Sequence, residues 1–357
     1  MTASNSLLAI FLLWVAPFVV PPAGHFTPVA AMTSARAKHS ATLLWNGKVL
    51  IAGGIGSDGN VLASAEVYDP LTEKFTATGN MIQARAGHSA VRLVNGTVLI
   101  VGGSGIKGAL ESCEIYDPVT GQFSPTASMR TARTATTATR LQDNRVLVVG
   151  GIGSDGRSIA TAEIYERNAK FAAAGTMSTP RAYHSATILP DERVLIAGGV
   201  AANEPLSSVE IYDAELSRFL PVPNMRFART RHAAVALPAG YVLLVGGSDG
   251  RGPQGVSAAE LFDIENKTFS DGGTMAKPRF DVPDPVVLSN GKVLVAGGGK
   301  IDEVYDPATK VFSAAGATAE RPRWFQNATL LSDGRVLITG GWDEKKRSTA
   351  QAWIYAP

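Results

Sequence analysis

The 357-residue sequence predicts an all-β chain folded as one seven-bladed β-propeller, and three recurring markers predict it. Gly-Gly pairs begin at Gly53, Gly102, Gly150, Gly198, Gly246, Gly297 and Gly340, 43 to 51 residues apart. Each pair is followed by a variant of one segment: AEVYDP, CEIYDP, AEIYER, VEIYDA, AELFDI, DEVYDP and AWIYAP. Each is preceded by an arginine: Arg36, Arg85, Arg133, Arg181, Arg229, Arg279 and Arg323. Self-similarity at a period of about 48 residues marks a repeat architecture, in which every unit buries its faces against its neighbours.

Within a unit the elements follow in order. Strand A of the first unit is HSATLL, and strand B is KVLIAGG. Between them stands Asn46-Gly47, a pair expected to form a two-residue type I′ turn with positive φ at both central positions. Strand B is apolar at successive positions, so both of its faces must be covered. Strand C is SAEVYDP, and an Asp-Pro turn leads to strand D, KFTATGNM. A phenylalanine six residues before a methionine marks strand D at Phe75, Phe123, Phe171, Phe219 and Phe269, and Phe312 keeps the place where Thr318 replaces the methionine. The seventh unit stops at WIYAP without a strand D, whereas FTPVAAM, residues 26–32, has strand D spacing ahead of Arg36. The N-terminal segment is therefore expected to complete the last blade, closing the ring and removing two open sheet edges.

The spacing G-x-G-x-x-G occurs at Gly54, Gly56 and Gly59, and twice more, but no helical period follows it. A dinucleotide site needs a helix N-terminus there. The paired glycines are expected instead to let the backbone approach a bulky side chain of the next blade, where a Cβ would collide.

Residues 1–24 differ from the rest. Leu7–Val20 is an apolar run, too short for a membrane span, and is expected to be the core of a signal peptide, so residues 1–24 are assigned as a leader and 26–357 as the propeller. This predicts a secreted or periplasmic protein, with a cytoplasmic one the alternative. A net charge of +2 and 18% charged residues leave no basic stripe for nucleic acid. A monomer is expected.

The units resemble kelch repeats, through the Gly-Gly after strand B, the E-x-Y-D-P of strand C and the aromatic of strand D, over residues 26–357. They are most similar to the bacterial variety and to the propeller domain of galactose oxidase. The resemblance implies the fold but no single activity, since kelch propellers serve as enzymes, adaptors and sugar binders. The copper site of the galactose oxidase family uses two tyrosines, two histidines and a cysteine cross-linked to one tyrosine. Cys113 stands where other units carry Ala65, Ala162, Ala259 or Ala352 and is expected to be a packing residue; no metal and no cofactor is expected.

Markers that recur in every unit are expected to hold the scaffold. Four histidines, His39, His88, His184 and His232, fall three residues after the repeated arginine, and most of the six strand C glutamates, from Glu66 to Glu303, are expected to bond to those arginines or to backbone N–H groups. Function is expected among departures from the repeat and on the face carrying the variable B–C and D–A loops. The candidate binding residues are Arg229 and Arg231 in blade five, Asp281 and Asp284 in blade six, and Trp324, Phe325, Trp342 and Asp343 in blade seven. The expected function is a non-catalytic module binding a carbohydrate or protein ligand. The alternatives are a propeller enzyme acting on a sugar or small molecule in the axial funnel, and an intracellular kelch adaptor.

Overall fold

A computed structural model describes residues 24–251, 255–299, 301–316 and 323–357; the expected leader core and Thr318 lie outside the described residues. Seven four-stranded antiparallel sheets form the blades. Blade one is Ser40–Leu43, Val49–Ala52, Ala65–Asp69 and Lys74–Ala77, strands A to D in order. The A strands are neighbours around the whole ring, blade seven meeting blade one. Among the described residues no helix is long and apolar enough to cross a membrane.

Strand B is buried at every residue in blade one, VLIA, and likewise in blades two, three, four and seven. Both faces meet a neighbouring blade, so the successive apolar residues of the sequence are all used. Each valine, leucine or isoleucine there contributes about 1.5–3 kcal/mol through burial. Strand C tyrosines lie against strand D phenylalanines in tilted pairs, as in Tyr68–Phe75 at 4.8 Å between ring centroids. Phe26 and Tyr355 repeat that geometry at 4.8 Å, although they come from opposite ends of the chain. His25–Pro28 pairs antiparallel with Ala352–Ala356, Phe26 opposite Tyr355. The closure expected from the strand D spacing is present.

The Gly-Gly pairs sit at the junction between blades. Gly53 has φ +64°, and a Cβ there would stand 2.4 Å from the carbonyl oxygen of Arg85 and 2.9 Å from His88 Cε1. Backbone as well as side chain makes the close approach that excludes any other residue.

The A–B turn departs from expectation. Gly47 has positive φ but Asn46 does not. The Leu44 carbonyl accepts Gly47 N–H at 3.1 Å, and Leu44 N–H donates to the Lys48 carbonyl at 2.8 Å. This is a three-residue loop, a type I turn followed by a left-handed residue, rather than a type I′ turn. Asn46 Oδ1 accepts the Lys48 N–H at 3.1 Å, a local bond that holds the asparagine in an ordinary turn conformation. Blade six is also irregular: its strand A shrinks to Val286–Val287 beside the sequence DVPDP.

Candidate functional site

Each D–A connection is pinned from below by its arginine. Arg36 is fully buried; Nη1 donates to the Gly53 carbonyl at 2.8 Å and Nη2 to Glu66 Oε1 at 2.8 Å. Glu66 Oε2 accepts the Thr33 N–H at 2.7 Å, so the carboxylate is held by a charge and by backbone. The same pair recurs as Arg85–Glu114, Arg133–Glu163, Arg181–Glu210, Arg229–Glu260 and Arg279–Glu303. In blade seven, where Trp353 replaces the glutamate, the Arg323 guanidinium lies 3.8 Å from the Trp353 ring centroid.

Two residues beyond each arginine the backbone turns left-handed in all seven blades. The residues are Lys38, Gly87, Ala135, Tyr183, Arg231, Asp281 and Phe325, with φ between 52° and 60°. Gly87 N–H donates to the Lys38 carbonyl at 2.9 Å, Arg231 to Tyr183 at 3.0 Å and Asp281 to Arg231 at 3.1 Å. Lys38 donates to the Phe325 carbonyl at 3.2 Å, which carries the series across the chain closure. A chain of backbone hydrogen bonds thus runs around the axis from Phe325 through Lys38 to Asp281 and holds this conformation whatever the side chain. For a residue other than glycine it costs roughly 1–2 kcal/mol.

These side chains line an axial bowl of about 470 Å³ on the face of the B–C and D–A loops. Five contiguous blades, four to seven and then one, supply Tyr183, Arg231, Asp281, Phe325 and Lys38; blades two and three supply Gly87 and Ala135 and leave a notch. Arg231 Nη1 lies 3.1 Å from Asp281 Oδ1. The guanidinium carbon is 4.3 Å from the Tyr183 ring centroid. Lys38 Nζ is 4.4 Å from the Phe325 centroid and 4.8 Å from that of Trp342, which meets Phe325 edge-on at 5.0 Å. Burial pushes the Asp281 carboxyl up to about 6, against the pull of Arg231 and Lys38. Burial, with Arg231 nearby, lowers the Lys38 ammonium from its ordinary range, while Asp281 raises it.

Of the residues expected from sequence, Arg231, Asp281, Phe325 and Trp342 come together here. Arg229 does not: it is fully buried in the repeated ion pair. Trp324 lies one residue before Phe325, half-buried, with its ring 6.5 Å from that of Phe280. Asp284 is outside the bowl lining, and Asp343 is held in its loop by Arg347 at 2.8 Å. Lys38 and Tyr183 were not expected. Their signal was their register, two residues after the repeated arginine, level with Arg231, Asp281 and Phe325.

The histidines at the bowl floor serve packing. Nε2 of His88 meets Ser40 Oγ at 2.9 Å, and Nε2 of His232 meets Ser185 Oγ at 2.9 Å, each reaching one blade back. Burial and the adjacent arginines press His88 and His184 down to about 3, and His39 and His232 well below their ordinary value.

The Kelch motif model matches residues 36–82, 84–130 and 180–226, which are blades one, two and four. Among solved structures the chain is similar to a fungal alcohol oxidase of the AA5 family in complex with copper, with a TM-score of 0.78 and 17% identity, covering 94% of this chain and 77% of that one. No curated protein matches the chain. Copper held by imidazole and phenolate needs converging ligands. Here each bowl-floor histidine is turned toward a hydroxyl of the preceding blade, Tyr183 is the one tyrosine of the lining, and Cys113 is buried elsewhere, its thiol pushed up to about 11 by burial. Among the described residues no group of three or more His, Cys, Asp or Glu is placed to hold a metal. The residues present do not fit a copper centre. With seven four-stranded blades, Gly-Gly ends to strand B, Arg–Glu pins and three matched motifs, the chain is a seven-bladed β-propeller that carries kelch motifs in blades one, two and four.

Proposed function

We propose that the protein is a binding propeller whose axial bowl takes a carbohydrate. One observation carries this reading: the ring position has its backbone fixed by the scaffold, yet five contiguous blades place large polar or aromatic side chains there. The scaffold works equally well with Gly87 and Ala135, so the other five are not needed for folding. A cavity of about 470 Å³ suits one or two sugar rings better than a folded partner. Arg231 and Lys38 offer donors, Asp281 an acceptor, and the notch at blades two and three an entry. The test is calorimetry of the full chain against mono- and disaccharides. Phe325→Ala and Arg231→Ala should each weaken binding at least tenfold with the melting temperature within about 2 °C, and Asp343→Ala should change neither.

An enzyme acting in the same bowl is the second reading. Asp281, buried and titrating at about 6, has the poise of a general acid or base. Turnover of a bound sugar that Asp281→Asn abolishes would favour it.

A further inference from the structure

The bowl's aromatic faces are already covered by cations. Lys38 Nζ lies over Phe325 and beside Trp342, and the Arg231 guanidinium lies over Tyr183. A sugar ring entering the bowl therefore meets charged heads before it meets rings. The rings fix the cations, since each side chain is flanked by flat surfaces it would lose by moving.

Among the described residues the charges in the bowl do not balance: Asp281 is the one carboxylate of the lining, facing Lys38 and Arg231. It engages Arg231 through Nη1, at 3.1 and 3.4 Å, and among the described residues the second guanidinium nitrogen, Nη2, has no hydrogen bond. That guanidinium side chain is 34% exposed, whereas Asp281 is 4% exposed behind it. Among the described residues Lys38 has no carboxylate within ion-pair distance, and its ammonium lies against the two rings. The four histidines below are bonded through Nε2 to hydroxyls and supply no anion.

We propose that the bowl binds a sugar bearing a carboxylate, a uronic acid, whose anion sits between Lys38 Nζ and Arg231 Nη2. This rests on the carbohydrate reading of the bowl and narrows it. Asp281 is then the internal counter-ion that holds Arg231 in place and competes weakly with the ligand. A charge-assisted contact to each cation is worth about 10- to 100-fold in affinity.

The experiment is calorimetry of the full chain at low salt with galacturonic and glucuronic acids, their methyl esters, galactose, glucose and succinate. The acids should bind at least 30-fold more tightly than the esters and the neutral sugars. Lys38→Met and Arg231→Gln should each erase most of that preference, and Asp281→Asn should strengthen acid binding several-fold. Equal affinity for acids, esters and neutral sugars would overturn the carboxylate assignment and leave the carbohydrate reading standing. Succinate binding as tightly as the acids would overturn the sugar half, and no binding by any probe would overturn both. The comparison of ligands uses the unmodified protein, so it decides the matter even if a variant fails to fold.

Discussion

Arg133 and Glu163 are both nearly inaccessible, and their 2.8 Å contact is one of six made in the same way. A pair of this kind gains little over an apolar pair, yet breaking it leaves a charge without compensation. Arg133→Met should lower stability by about 3–5 kcal/mol in denaturant titration. Gly150→Ala, whose Cβ would stand 2.4 Å from the Arg181 carbonyl at φ +60°, should lower it by at least about 2 kcal/mol. Both residues were legible in the sequence, because a side chain or a missing Cβ that the scaffold needs recurs in each blade. The bowl was only half legible for the same reason. The ring position is held by backbone hydrogen bonds, so it has no consensus residue, and Lys38 and Tyr183 departed from nothing. Arg231, Asp281 and Phe325 were noticed only because blades five to seven are unusual around them.

At the scale of the strand, a buried neutral histidine at the start of strand A ties blades one, two, four and five to the blade before, and in blade seven Gln326 holds that place. His88 and His184 titrate at about 3 when folded and close to 6.5 when unfolded. A depressed folded value means that the stabilisation is present above pH 6.5 and is lost as the pH falls from there toward 3. Each histidine then adds up to one proton, about 1.4 kcal/mol per pH unit, to the acid lability. His88→Gln, copying blade seven, should remove about one proton from the slope of stability against pH between 4 and 6. Asp281 acts in the opposite sense, because its carboxyl is raised to about 6 in the fold. Its stabilisation is complete below the unfolded value and is lost as the pH rises through about 6, so Asp281→Asn should steepen the acid decline. The A–B turn shows what strand-level reading misses. Asn-Gly names a tight turn, but the loop length is set by which carbonyl accepts Gly47 N–H, and the sequence does not display that choice.

For the whole molecule the decisive contact is between the first described strand and the last. A chain beginning at His25 keeps strand D of blade seven, and one beginning at Thr33 loses it together with the Phe26–Tyr355 ring pair. The shorter chain should melt at least about 10 °C lower, since two edges open and the phenylalanine is lost from the core. Closure was readable because a strand missing at one end of the sequence had its counterpart at the other.

That closure also sets an order in time. His25–Pro28 is made more than 300 residues before its partner Ala352–Ala356. At ribosomal rates the wait is on the order of tens of seconds. Until then the growing polypeptide is an open arc, and the seventh blade is made whole only when early and late segments meet in a single ladder.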